Sequence, residues 1–298
     1  MIPFPNEEVT PPKTKTNFVF IVYNGFSEAA KIVHFFFIFA SVLIILSMQN
    51  PPVAEHLSAS FRPTGHEVDP NKRLRLTAYM QKTQEVAEAH AALYRCGFHE
   101  LIEQNTVWVL SRMVVEIGRM PLWDEPVELV SWHKRVERIF ALRDFILYDA
   151  AQIPIVKATS AWLLMDIHTR RMLRVEHVLP QLAQVNIPRD AIAAIPEKLG
   201  VPEKECLSLV HTHRVGYSDL DLINHVTNTK YVEWTLNCLP FESLNRNALS
   251  SFQINFNLEA KHDDVVELWH ATPHKNAHYV EGRRNGQNLF QSVCLMKE

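Results

Sequence analysis

The chain has 298 residues, of which 47% are hydrophobic and 21% charged, and it carries a net charge of −3. This composition supports a packed core and excludes a wholly disordered chain, and the mild acidity excludes nucleic acid as the main partner, because phosphate binding needs a basic surface. No Gly-rich phosphate loop occurs, and Cys96, Cys206, Cys238 and Cys294 are too scattered for a CxxC pair or a disulfide framework, so they read as reduced thiols.

The first 54 residues form a leader. No Asp, Glu, Lys or Arg lies between Lys31 and Glu55, and the run 32–48 is almost wholly apolar, at the short end of what spans a bilayer. Two readings of it stand: a membrane anchor, or a segment upstream of a true start at Met48. A cleaved signal peptide fits poorly, because about thirty residues precede the apolar run.

From Leu74 to Cys96, apolar residues recur at three- and four-residue spacing and end at Gly97, which predicts a long amphipathic helix with a glycine stop. Four runs rich in β-branched and aromatic residues follow: "TVWVLSRMVVEI", "PVELVSWHKRVE", "IFALRDFILYD" and "IPIVKATSAWLLMDI". Each is bounded by polar or turn residues, as antiparallel strands are. After 180–204, read as a linker, the order returns. "HTHRVGYSDL" predicts a strand and Val226–Leu239 a helix, and four more strands follow. "DEPVELVSW" at Asp124 matches "DDVVELWHA" at Asp263, and "AWLLMD" at Ala161 matches "SVCLMK" at Ser292. A repeat of roughly 140 residues suits a duplicated domain rather than a solenoid. The expectation is an α+β chain whose two units, 55–179 and 205–298, each wrap an antiparallel sheet around a central helix.

The stretch "YSDLDLINHVTNTKYVEW" concentrates the chemistry. Asp219, Asp221 and Asn224 precede the second helix, where short polar side chains cap free N–H groups. A helix needs one cap rather than a cluster, so a second use is expected. An asparagine and a histidine at a helix start can hold a carbonyl while backbone N–H groups favour its developing negative charge. Glu259, at the end of the next strand, is the candidate general base on water. Serine elbows and zinc motifs are missing, the pair His211 and His213 lacks a third ligand, and His270, His274 and His278 are not expected to share a face. No metal or other cofactor is expected.

"YSDLDLINHVTNTKYVEWTL" resembles the active-site stretch of the plant and bacterial acyl-ACP thioesterases, an Asp-x-Asn-x-His-Val-Asn-Asn run followed by Tyr-x-x-Trp. "WVLSRMVVEIGRMPLWDEPVELVSW", "LRDFILYD" and "SAWLLMDIHTRRMLR" resemble the same family's N-terminal half, and "INFNLEAKHDDVV" its catalytic-glutamate strand. The resemblance covers about residues 60–297. It implies two tandem hotdog domains and hydrolysis of fatty acyl thioesters on acyl carrier protein, releasing a free fatty acid. Asp221, His225 and Glu259 stand at the family's aspartate, histidine and glutamate. Two departures stand out: the family's asparagine falls at Ile223, with Asn224 one place later, and Ala260 replaces a cysteine frequent in plant members. Thr227 replaces the first asparagine of the usual pair, and Asn228 is retained.

The expected catalytic set is therefore Asp221, Asn224, His225 and Glu259. Substrate contacts are expected from Asn228 and, in the N-terminal acyl-binding domain, from Met80 and Arg143, although Arg143 in "RDF" also reads as half of a cross-strand ion pair. The basic run Arg170, Arg171 and Arg174 could dock the acidic carrier protein. A homodimer is one candidate assembly. The expected compartment is cytoplasmic or organellar, of plastid type, with membrane association through 32–48. Two rival functions are an acyl-CoA thioesterase of the same fold and a non-catalytic acyl-binding protein.

Overall fold

The computed structural model describes residues 54–203, 206–246 and 249–297. The candidate membrane segment 32–48 lies outside them, and among the described residues no helix is long and apolar enough to cross a membrane.

In the first half, β1 (Leu57–Phe61), α1 (Leu76–Leu93) and α2 (Phe98–Glu103) precede β2 (Thr106–Ile117), β3 (Val127–Glu137), β4 (Phe140–Asp149) and β5 (Pro154–Asp166). A short β6 (Met172–Leu173), α3 (Val175–Val178) and α4 (Pro180–Ala183) lead onward. The second half runs β7 (Ser208–Arg214), α5 (Asn228–Asn237), α6 (Phe241–Asn245), β8 (Leu249–Phe256), β9 (Val265–His274), β10 (Ala277–Arg284) and β11 (Gln287–Met296).

The strands form one antiparallel sheet in the order β1-β3-β4-β5-β2-β8-β11-β10-β9-β7, with β6 paired to β5. Read outward from its centre, the order in one half is the image of that in the other, which is the duplication expected from the repeat. β3 and β9, which carry the matching "VELVSW" and "VELWHA", take equivalent places. The halves join where β2 pairs β8, from Arg112 opposite Asn255 to Glu116 opposite Ser251. On the inner face, α1 packs against β3 and against α5. One hydrophobic core runs through both halves and includes Tyr79, Met80, Phe145, Tyr231, Phe252 and Phe290. Gly282 in β10 is required by this packing, since a Cβ there would sit 2.2 Å from the Phe290 ring.

The structure differs from the sequence expectation at several ends. α1 closes at Leu93, where Arg95 adopts a left-handed φ of 55°, and Gly97 is the N-cap of α2 rather than the stop of α1. β1 went unpredicted because "LSASF" lacks a continuous apolar run; its pairing with β3 orders it. The strand expected through Leu220 ends at Arg214, and Tyr217–Asp219 is a single 3₁₀ turn. The Gly216 N–H donates to Asp219 Oδ2 at 2.9 Å, and this bond turns the chain. The ion pair read into "RDF" belongs to Asp144 rather than Arg143. Lys134 Nζ lies 3.3 Å from Asp144 Oδ2 and 2.7 Å from Asp190 Oδ1, which ties the connecting segment to β3 and β4.

Candidate active site

The loop before α5 is shaped by its own backbone bonds. Asp221 Oδ1 accepts the N–H of Ile223 at 3.0 Å and of His225 at 3.1 Å, so one carboxylate oxygen fixes the turn that carries the histidine. The Asp221 N–H in turn donates to the His225 carbonyl at 2.8 Å. Asn224 takes a φ of 60°, a left-handed conformation that asparagine adopts more readily than most residues.

Glu259 comes from the loop after β8, three residues past the strand's end. Bonds on either side place it at the start of α5. The Val226 N–H donates to the Ala260 carbonyl at 2.9 Å, and the Ala260 N–H donates to the Tyr231 hydroxyl at 2.9 Å. Glu259 Oε2 then lies 3.4 Å from His225 Nε2. The same oxygen accepts from Arg170, which reaches across from the turn between β5 and β6. Both carboxylate and imidazole are partly exposed.

A cavity of about 250 Å³ adjoins this loop. Its walls are mainly apolar, from α1, α2, β2, β4 and β5, including Ala87, Ala91, Leu101 and Trp162, and Asp221, Leu222, Ile223 and Asn228 border it on the side of the loop and α5. An apolar cavity with a few convergent polar groups is the usual form of a small-molecule site. Asn228 is the first residue of α5 and borders the cavity, at the helix end whose N–H groups lack intrahelical partners.

The structure thus links Asp221 to His225 and His225 to Glu259 by direct contacts, and Asp221 and Asn228 border the cavity, whereas His225, Glu259 and Asn224 are not among the residues lining it. Ile223 and Asn224 are both exposed, and Ile223 borders the cavity while Asn224 does not. Met80 belongs to the shared core rather than the cavity wall, because it lies one turn of α1 before the lining residues Gln84, Ala87 and Ala91. Arg143 does line the cavity. Cys96 lines it too, but burial pushes its thiol up to about 12, so it is no nucleophile at neutral pH. Ala260, at the plant cysteine position, is fully buried.

Two contacts were invisible in the sequence. Arg170 meets Glu259 across the two halves, and Asp219 is a structural tie, its Oδ2 lying 2.8 Å from His213 Nε2. His270 and His278 do meet across β9 and β10, with Nε2 and Nδ1 3.0 Å apart. Among the described residues no group of three or more His, Cys, Asp or Glu could hold a metal ion.

The fold, two antiparallel sheet-and-helix units joined edge to edge with a carboxylate and an imidazole at the second helix, is a tandem hotdog. It superposes on an acyl-ACP thioesterase from Bacteroides thetaiotaomicron with a TM-score of 0.75 and 24% identity, covering 82% of this chain and 98% of that one. For the 12:0-ACP thioesterase from Umbellularia californica the values are 0.74 and 22%, over 82% and 98% of the two chains. Family models for the acyl-ACP thioesterase N-terminal domain and C-terminal domain match residues 57–181 and 203–292. The chain belongs to the acyl-ACP thioesterase family. It is 31% identical over 216 residues to the chloroplastic oleoyl-acyl carrier protein thioesterase of Coriandrum sativum, a match covering 68% of this chain and 58% of that protein. Against the chloroplastic dodecanoyl-[acyl-carrier-protein] hydrolase of Cinnamomum camphora the identity is 29%, over 70% and 57%. The chain therefore spans somewhat under three fifths of the length of these curated relatives.

Proposed function

We propose that this protein hydrolyses fatty acyl thioesters carried on acyl carrier protein to free fatty acid and carrier thiol. The observation that carries the reading is the pairing of Glu259 Oε2 with His225 Nε2 at 3.4 Å, at the start of α5 and beside an apolar cavity. The acyl chain enters that cavity, and the thioester carbonyl rests near Asn228 and the free N–H groups of α5. Glu259 takes a proton from water as its oxygen attacks the carbonyl carbon. The oxyanion draws on the Asn228 amide and the helix N-terminus, donors aimed where negative charge develops. When the C–S bond breaks, the proton held at Glu259 and His225 passes to the leaving thiolate. Asp221 orients His225 through the backbone bonds already described. Asn224 serves the turn rather than the carbonyl.

In this reading, 55–179 is the acyl-binding domain, 205–298 the catalytic domain and 180–204 their linker. Arg171 and Arg174, exposed beyond β5, suit an acidic carrier, while Arg170 is engaged with Glu259. The plant relatives' names specify the chloroplast, which favours a plastid-type compartment, and the hydropathy of 32–48 favours a membrane tether there.

The test is thiol release from a panel of acyl-ACPs by the full chain and by Glu259→Ala. The variant is expected to lose about 10²–10⁴ in turnover, the usual contribution of a positioned general base. Unchanged turnover would remove Glu259 from the mechanism. Equal or better turnover of the matching acyl-CoAs would move the substrate to coenzyme A thioesters. Ile223 on the cavity wall favours one further reading, a non-catalytic acyl carrier, which requires tight acyl binding with thiol release at background.

A further inference from the structure

The cavity has a polar wall that hydrolysis does not use. Arg143 on β4 and His133 on β3 are register partners, and both are almost fully buried. Arg143 Nη1 donates to His90 Nδ1 and to Ser131 Oγ, each at 3.1 Å, and among the described residues no carboxylate forms an ion pair with it. The Ala54 carbonyl lies 2.8 Å from His90 Nε2, so that nitrogen carries the proton and Nδ1 is free to accept. Burial, followed by the charge of Arg143, holds His90 down to about 4 and His133 to about 3, so both rings are neutral.

His133 is only 2% exposed, and its Nε2 has no partner among the described residues. With the proton of the neutral ring on Nδ1, Nε2 is a bare acceptor. From α1, the buried Gln84 Nε2 is an unpartnered donor, and His133, Gln84 and Arg143 all line the one cavity. A plain hydrocarbon chain would leave the His133 and Gln84 nitrogens unsatisfied.

We propose that this wall is a subsite for a hydroxyl group on the acyl chain. A hydroxyl donates to His133 Nε2 and accepts from Gln84 and Arg143. A ketone or a carboxylate only accepts, which would leave the imidazole lone pair buried and bare. A carboxylate is opposed further by Glu88 and Asp221, which border the same cavity. The subsite rests on the cavity being the acyl-chain site.

Direct binding to the full chain tests it, by displacement of an environment-sensitive fluorescent fatty acid. The competitors are one saturated fatty acid and its isomeric hydroxylated forms, with the hydroxyl at successive carbons. At one position the hydroxylated acid is expected to bind roughly tenfold tighter than the parent, as two net hydrogen bonds allow. That difference should vanish in His133→Phe and narrow in Gln84→Leu, the latter serving if the first variant fails to fold. Equal affinity at every position, or a preference that survives both substitutions, overturns the subsite and leaves the acyl cavity standing. Failure of every acid, including the parent, to bind overturns the acyl reading of the cavity together with the subsite.

Discussion

Arg170, from the turn between β5 and β6, donates to Glu259 Oε2, the same oxygen that lies 3.4 Å from His225 Nε2. One half of the molecule thereby steers the candidate base of the other. Arg170 is half exposed, so the pair adds little to stability, about 0–1 kcal/mol. Its value lies in position, because a misplaced base loses rate steeply. Arg170→Ala is expected to lower kcat roughly three- to tenfold with little change in KM for acyl-ACP. Steady-state kinetics check this. A raised KM with kcat intact would make Arg170 a carrier contact instead.

In the proposed mechanism the carbonyl contact belongs to Asn228 rather than Asn224. With φ at 60° and an exposed side chain, Asn224→Gly should keep turnover near wild type, while Asn224→Ala should cost about 1 kcal/mol of stability. Asn228→Ala, by contrast, removes an amide from the cavity border and should lower kcat about 10²-fold. Thermal melts together with thiol release separate the two effects. A large loss of turnover in Asn224→Gly would return the carbonyl contact to Asn224.

Asp221 should act through its single oxygen. Asp221→Asn keeps an acceptor for the Ile223 and His225 N–H groups, so it should retain most of the stability. Asp221→Ala leaves both donors open and should cost about 1 kcal/mol, with a fall in turnover as His225 loosens. Comparable turnover in Asn and Ala variants would exclude this orienting role.

Stability should fall on mild acidification. His90 and His133 sit near 4 and 3 when folded, against an ordinary 6.5, mainly through burial and next through Arg143. Below 6.5 the unfolded chain binds these protons and the folded chain does not. The stability present above 6.5 is therefore lost as pH falls toward the folded values. Each histidine contributes up to about 1.4 kcal/mol per pH unit within that window. Urea melts between about pH 6.5 and 4.5 should show His133→Phe with a slope shallower by close to one proton. An unchanged slope would mean that His133 is protonated in the folded protein.

Lys134 and Asp144 are both fully buried, and Asp144 also accepts from Thr159 Oγ1 at 2.6 Å and the Ala191 N–H at 2.8 Å. Lys134→Met leaves that carboxylate without its cation and should cost about 3–5 kcal/mol. Adding Asp144→Leu should recover a good part of the loss, as a double-mutant cycle by denaturant melts would reveal. Strict additivity of the two losses would place the residues' effects elsewhere.

The halves of the fold were legible because local pattern encodes them. Period-two runs separated by turn residues specify strands, a three-four pattern specifies each helix, and the recurrence of "VELVSW" as "VELWHA" declares the duplication. Asp221, His225 and Glu259 were legible as residue types set around a helix start. What local pattern cannot encode is which distant groups share a space. Arg170 and Glu259 are 89 residues apart, and they meet through the joining of the two halves by the β2–β8 pairing and the packing of α1 on α5. The one-residue question between Ile223 and Asn224 had the same character. A left-handed φ turns the asparagine outward and leaves the isoleucine on the cavity wall, a choice made by backbone geometry rather than by composition. The polar wall of Arg143, His133 and Gln84 is likewise assembled from two strands and a helix. Sequence determined the elements and the chemistry available to them, and tertiary packing decided which side chains meet, because contact depends on how buried surfaces close upon one another.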